Sequence, residues 1–303
     1  MKQICVYNKT ITHIKEFIMN GMKKKAAARL AANVRMDILT EVYSANSGHP
    51  GGSLSIADVL AYLYKYVLRV DPNHPDDPDR DRFVLSKGHT APALYAILAE
   101  CGFFSKAELR GFRNIDSFLQ GHPDMKHTPG CDMTSGSLGL GFSAAAGMAL
   151  GAKHQGKDFR VYAVCGDGEL GEGQIWEAAM FSAHYKLDNL CVFIDWNGLQ
   201  IDGRIVDVMN STPIDEKFKA FGWNVQVIDG HDFDQIDDAV NNALETKGKP
   251  SVIIMKTVKG KGVSFMENQV SWHGAAPNEE QYNQGMSELR EALDKALDST
   301  LDR

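Results

Sequence analysis

The run RVYAVCGDGELGEG, Arg160 to Gly173, decides the fold. Its first part, Arg160–Cys165, is short and apolar, with the Val and Tyr content of a buried strand. Glycines then crowd the turn at 166–173, and Gln174–Tyr185 has the pattern of a helix. Strand, glycine-rich turn and helix in that order form one unit of a parallel α/β sheet, where ligands gather at the carboxyl ends of strands. Gly166, Gly168 and Gly171 have the GxGxxG spacing of a dinucleotide fingerprint, and Asp195 stands 24 residues beyond Gly171, where a ribose-binding acid would sit. A nicotinamide oxidoreductase is one reading of these residues. Two features oppose it. The fingerprint normally opens the first unit of its fold, whereas about half the chain precedes it here. Asp167 also lies between the first two glycines, where its carboxylate would repel a pyrophosphate unless a cation lay between them. A helix terminus alone can bind a bare anion; this turn points instead to a metal-bridged diphosphate.

A second ligand follows from the next unit. Leu190–Asp195 reads as a strand ending in Trp196-Asn197-Gly198, with Asn197 30 residues after Asp167. Adjacent parallel strands would bring together Asp167, Asn197 and a backbone carbonyl just beyond it, oxygen donors suited to Mg²⁺ or Ca²⁺. Taken singly, Asn197 before Gly198 is also an ordinary turn residue. Of ten histidines, His49, His89, His122 and His231 follow glycine, and His273 precedes Gly274. One such pair is an ordinary loop; several beside a metal–diphosphate site suggest a histidine-lined pocket for hydroxyl contacts and proton transfer. A zinc site finds no HxH or HExxH spacing. Glu172 and Glu177 read by spacing as charge at a helix N-terminus. GSLGLG, 136–141, reads equally as backbone against a ligand or as a helix entry.

Outside this stretch, apolar spacing at Leu30, Val34, Ile38, Leu39 and Val42 predicts a helix over 22–45, broken at Ser47–Gly52. Ser53 is expected to cap the next helix. A polar Pro-rich loop at 71–81 leads to a strand at Phe83–Leu85 and a helix at 91–101; 111–142 is loop-rich and 143–154 an Ala-rich helix. Helices at 215–221 and 233–246 alternate with extended segments at 223–229 and 251–257, and a polar helix covers 278–297. The expected architecture is α/β: a single domain, residues 22–303, with a mainly parallel sheet and helices on both faces, preceded by a loosely packed extension at 1–21. The composition of the 303 residues, 44% hydrophobic and 23% charged, excludes disorder. A net charge of -7 speaks against a nucleic-acid binder, and Lys23-Lys24-Lys25 reads as a solvated helix face. Five cysteines without a CxxC exclude a disulfide framework and fit a reducing cytoplasm. No apolar run reaches the roughly 18 residues of a membrane span, and the N-terminus has no signal-peptide core.

Taken together, Gly166-Asp167-Gly168 with Asn197 30 residues on resembles the thiamine diphosphate motif of transketolase-like enzymes. SGHPGG at 47–52, DRFVLSKGH at 81–89, GHPD at 121–124, GSLGLG at 136–141 and WHGAAP at 272–277 narrow the resemblance to transketolase. It covers nearly the whole chain after about residue 22, although Leu140 stands where the family commonly has Gln. The resemblance implies that Asp167, Asn197 and the Leu199 carbonyl hold the metal, Mg²⁺ or Ca²⁺. It implies that Gly168, His89 and His273 contact the cofactor diphosphate, that Gly136 and Leu138 pack near the aminopyrimidine, and that His49, His122 and His273 bind donor hydroxyls and aid proton transfer. Glu172, grouped with the cofactor contacts, and Glu177 match glutamates at a subunit contact linking two active sites. A full transketolase is roughly double this length. The resemblance therefore implies the N-terminal subunit of a split enzyme, active only with a C-terminal subunit that carries the pyrimidine-binding domain. The pair would form a heterotetramer that moves a two-carbon glycolaldehyde unit from a ketose phosphate to an aldose, in central pentose phosphate metabolism or a specialised sugar pathway. A subunit of a 2-oxoacid dehydrogenase or of a deoxyxylulose phosphate synthase type, and a non-catalytic binding module, are the rival readings; His49, His89 and His122 together favour transketolase over the first.

Overall fold

A computed structural model describes residues 2–298, with side chains over 21–295. Five strands form one parallel sheet: β1 (Arg82–Leu85), β2 (Val161–Gly166), β3 (Leu190–Trp196), β6 (Asn224–Asp229) and β7 (Ser251–Lys256), in the order β1-β2-β3-β7-β6. Alternation along the strands divides the apolar side chains between two cores. Phe83, Leu85, Tyr162, Val164, Cys191, Phe193, Ile253 and Met255 share one cluster with α1 (Lys2–Ala45), α3 (Ala57–Tyr62), α4 (Ala91–Glu100), α9 (Phe233–Glu245) and α10 (Glu279–Asp298). Val84, Val161, Ala163, Cys165, Val192, Ile194, Val252 and Ile254 share the other with α5 (Leu140–His154), α6 (Gly173–His184) and α8 (Ile214–Ala220). Helices cover both faces, as the pattern predicts.

Several boundaries differ from the sequence reading. The first helix does not begin near residue 22; α1 runs from Lys2. The packing of residues 1–20, expected to be loose, lies outside the described side chains. α1 stops because Asn46 turns left-handed (φ 47°) and the N–H of Ser47 returns to the Val42 carbonyl at 3.2 Å. Gly48 follows at φ 146°, where a Cβ would meet Val42 at 2.8 Å. Ser53 is not a cap. The helix α2 (Pro50–Leu54) starts at Pro50, whose fixed φ suits a first turn, and the Ser53 hydroxyl donates to the His49 carbonyl at 2.7 Å. A small hairpin, β4 (Leu199–Gln200) with β5 (Gly203–Arg204), and a short α7 (Ile205–Val208) follow β3; elements this short carry no periodic signal.

Candidate functional site

The register of the sheet brings the strand ends into line. Gly166 pairs with Asp195 across β2 and β3, and Trp196 with Lys256 across β3 and β7. The turns that leave β1, β2, β3 and β7 therefore open on one cavity of about 260 Å³. Its lining includes His49, His89, Gly136, Leu138, Asp167, Gly168, Asn197, Leu199 and His273. Nine of the residues expected from the sequence thus meet at one place.

Three imidazoles cluster in the same cavity as Asp167. The ring centres of His49 and His89 are 5.2 Å apart, His49 and His273 5.4 Å, and His89 and His273 5.3 Å, the last pair stacked. Burial, with the cations around them, lowers His49 and His273 to about 4 and His89 to about 2. All three are neutral at physiological pH, so each ring has one donor and one acceptor nitrogen. For His273 the assignment follows from its neighbour: the Lys259 ammonium, which can only donate, sits 2.9 Å from Nδ1. That leaves the proton on Nε2. His122 stands just outside the lining. Its ring lies 3.2 Å from where a Cβ on Gly136 would sit, so a side chain there would press the ring aside.

Asp167 is 2% exposed and its carboxylate accepts the N–H groups of Gly168 (2.8 Å) and Gly198 (2.6 Å). Burial, and then the nearby Asp195, push its acid up to about 7. Asn197 donates its amide to Asp195 at 2.9 Å, which fixes its oxygen; that oxygen accepts the Leu199 N–H at 3.1 Å. The Leu199 carbonyl accepts from Lys259 at 3.3 Å. One carboxylate, one amide and one carbonyl are a hard-oxygen set that fits Mg²⁺ or Ca²⁺ when phosphate oxygens complete the shell. Among the described residues no cluster of three His, Cys, Asp or Glu side chains could hold a metal by itself. Two further atoms fit a polar ligand: His49 Nδ1 and Gln200 Nε2, both on cavity-lining residues, are buried without a protein partner.

The structure gives Asp195 a different role and brings in residues that the sequence reading did not select. Asp195, the candidate ribose acid, is fully buried and meets four donors: Lys87 Nζ (2.6 Å), Ser55 (2.7 Å), Asn197 and Thr257. No capacity remains for a ribose, which removes the main support for the nicotinamide reading. Glu169, 3% exposed, accepts from Ser86, from Gly139 N–H (2.8 Å) and from Gly166 N–H (3.0 Å), tying three cavity segments together. Lys87 and Lys259 bring buried cations to the cavity. Each sits beside glycine just past a strand end, in SKGH and VKGKG, and that was the signal available. Glu172 is not brought into the cavity. It and Glu177 lie exposed, Glu172 against Gly139, so a cofactor contact from Glu172 finds no geometry within this chain.

Known proteins place this arrangement. A family model described as "Transketolase, thiamine diphosphate binding domain" matches residues 26–294. The chain is 47% identical over 256 residues to the 6-deoxy-6-sulfo-D-fructose transketolase subunit SqwG of Clostridium sp. (strain MSTE9), covering 84% of this chain and 93% of that one. It is 42% identical over 261 residues to one subunit of the apulose-4-phosphate transketolase of Phocaeicola vulgatus, covering 86% and 92%. The solved transketolase from Leishmania mexicana superposes with a TM-score of 0.82 at 30% identity over 90% of this chain. Only 45% of that solved chain is covered, so this protein spans about half its length.

Proposed function

The chain belongs to the transketolase thiamine diphosphate-binding family, and from that premise we propose that it is the diphosphate-binding subunit of a two-polypeptide transketolase. The observation that carries the proposal is the cavity itself: three neutral imidazoles share it with a buried Asp167 whose charge no protein cation meets directly. Two relatives that are themselves named as subunits are covered almost from end to end, which supports a second polypeptide. That partner would bring the pyrimidine-binding domain, and two copies of each would form a heterotetramer. The same reading treats 22–303 as one diphosphate-binding domain, with 1–21 as an extension. It locates the enzyme in the cytoplasm, in keeping with the free thiols of Cys101, Cys131, Cys165 and Cys191. No described helix is long and apolar enough to cross a membrane.

When bound, thiamine diphosphate supplies the carbanion chemistry that moves a two-carbon glycolaldehyde unit from a ketose phosphate to an aldose. This chain's residues bind and orient. Asp167, Asn197 Oδ1 and the Leu199 carbonyl would hold Mg²⁺ or Ca²⁺ against the diphosphate, where the cation offsets both the phosphate charge and the Asp167 carboxylate. Gly168 has no side chain to obstruct the phosphates, and Lys259, His89 and His273 bring donors to them. His273 presents Nε2–H to the reacting region, held in that tautomer by Lys259. His49 has a buried nitrogen free for a sugar hydroxyl, and His122 stands behind Gly136 to reach the same substrate. Neutral rings can pass a proton in either direction between hydroxyl and carbonyl oxygen near neutral pH. Gly136 and Leu138 would flank the aminopyrimidine, and Glu172 and Glu177 would meet a second subunit on the exposed face.

Isothermal titration calorimetry with thiamine diphosphate plus Mg²⁺, against NAD alone, tests the binding half of this reading. Binding of the first and not the second is expected; tight binding of NAD alone overturns it. Co-expression with the adjacent reading frame, assayed against a panel of ketose phosphates, tests the catalytic half. Two-carbon transfer by the purified single chain would remove the need for a partner.

A further inference from the structure

His231 lies outside the cavity, yet it sits at the centre of a buried network with no role in the site as described. It follows β6, and its Nδ1 is 2.7 Å from Asp58 Oδ2 on α3. Asp58 is also gripped by both terminal nitrogens of Arg35 on α1, at 3.0 and 2.5 Å. Burial works against the Asp58 charge, but Arg35 and His231 hold its acid down to about 2. On the other side of the ring, the backbone N–H of Val258 donates to Nε2 at 2.9 Å. An acceptor at Nε2 requires the ring proton on Nδ1, pointed at Asp58. The ring therefore joins a fixed anion on one side to one peptide N–H on the other.

That peptide immediately precedes Lys259. Residues 257–263 form a strap past the end of β7, in which the Thr257 N–H donates to the Trp196 carbonyl at 3.2 Å and the Lys259 carbonyl accepts the Asn268 N–H at 2.9 Å. Val258 is held by His231; the Gly260 N–H donates to the Gly51 carbonyl at 2.9 Å; and Gly262, at φ 92°, lies against Arg35. Close approach is built in from the His231 side too, since a Cβ at Gly230 would strike Thr257 at 2.6 Å. Lys259 is 2% exposed, and its Nζ reaches His273 Nδ1 and the Leu199 carbonyl. The ammonium sits at the end of a flexible four-carbon stem, so its place depends on where the backbone starts that stem as well as on these two contacts.

We propose that His231 is a positioning residue: through its Asp58-held ring it fixes the Val258–Lys259 peptide and so sets the Lys259 ammonium where the diphosphate binds. The inference rests on the diphosphate reading of the cavity. The ring acts through Lys259 and touches neither cofactor nor substrate.

Two substitutions separate the two nitrogens. His231→Asn keeps an amide donor near Nδ1 for Asp58 and loses the acceptor for Val258. His231→Gln keeps an acceptor near Nε2 and loses the donor. With the full chain, hydrogen-exchange mass spectrometry should show faster exchange at 257–262 in H231N, with β6 and β7 unchanged, and near-normal protection in H231Q. Calorimetry with Mg²⁺ and thiamine diphosphate, or with inorganic pyrophosphate, should show affinity about tenfold weaker in H231N, the low end for loss of an outer-shell partner. K259M should cost at least as much, and H231N/K259M no more than K259M alone. Additive losses, equal damage from H231N and H231Q, or wild-type affinity in H231N each overturn the proposal. Should H231N fail to fold, H231Q decides: affinity near wild type supports the proposal, and a loss equal to that of K259M overturns it. If the wild-type chain binds neither ligand while exchange at 257–262 still responds to H231N, it is the diphosphate reading that has failed, and the role assigned to Lys259 falls with it.

Discussion

Asp167 directly follows β2 and Asp195 is the second-last residue of the neighbouring β3; both are almost fully buried, and they come to opposite states. Asp195 meets four donors, including the Lys87 ammonium at 2.6 Å. Burial opposes its charge, and Lys87 still holds its acid below the usual carboxylate range. Asp167 has two peptide N–H groups and no cation in contact, and burial drives its acid up to about 7. A buried carboxylate whose charge is met inside the protein belongs to the scaffold. One whose charge is left unmet, at the mouth of a cavity, belongs to a ligand.

The widest gap between the two should appear in stability. Asp195→Ala would strand Lys87 as an unpaired buried cation and release Ser55, Thr257 and the Asn197 amide. The expected cost is ~3–5 kcal/mol, the range for breaking a buried pair from one side. Urea unfolding checks it, and a loss below about 1 kcal/mol, the scale of an exposed pair, would mean that the pair is not the anchor described. Asp167→Asn should do the reverse. In metal-free buffer its melting temperature should match or exceed wild type, because a desolvated charge is removed, while Mg²⁺-dependent binding of thiamine diphosphate is lost. Equal destabilisation by the two substitutions would erase the distinction.

The same pair shows what the sequence could and could not disclose. Asp167 was legible because a carboxylate inside a Gly-x-Gly turn is chemically awkward beside phosphate, and awkwardness implies a cation. Asp195 reads in the sequence as a possible ribose acid; its actual role depends on Ser55, Lys87 and Thr257, contributed by three distant segments. Strands were legible as short unbroken apolar runs, and helices by their periodic apolar spacing. The hairpin at 199–204 and α2 were not, being shorter than any period that could mark them. Histidines were visible through their glycine neighbours, whereas Lys259 was hidden among 32 basic residues. Glu172 was placed by resemblance alone, and nothing within this chain gathers it into the cavity.

A smaller effect separates the cavity's two walls. His273→Ala removes one of the three clustered imidazoles and frees the Lys259 ammonium from its 2.9 Å partner. Cofactor affinity should fall about tenfold, within the range of other outer contacts, and turnover in the reconstituted complex should fall with it. Since Asp167 is untouched, the dependence on Mg²⁺ should survive. Normal kinetics would take His273 out of the working site, and loss of the metal dependence would mean that the two walls are one unit.

The smallest effect is the share of the pH slope that the histidine wall contributes. His89 has its acid lowered to about 2 by burial and then by Lys87, whereas an unfolded histidine titrates near 6.5. Below about pH 6.5 the unfolded chain takes up a proton that the folded chain refuses, so stability falls as pH falls through that value toward 2. His49 and His273, at about 4, add to the slope over the upper part of the same window. Asp167, raised to about 7, works in the opposite sense over this window, so the comparison is between proteins: from pH 7.5 to pH 5 without cofactor, the melting temperature of His89→Asn, which cannot take up that proton in either state, should fall less or rise more than that of wild type. Asp195, whose acid is lowered by Lys87, keeps its stabilising charge through this window, so Asp195→Ala should lower the whole curve and leave the slope as it was. An unchanged slope in His89→Asn would mean that the ring is hydrated enough to titrate normally, and the wall would then be a solvated edge of the cavity.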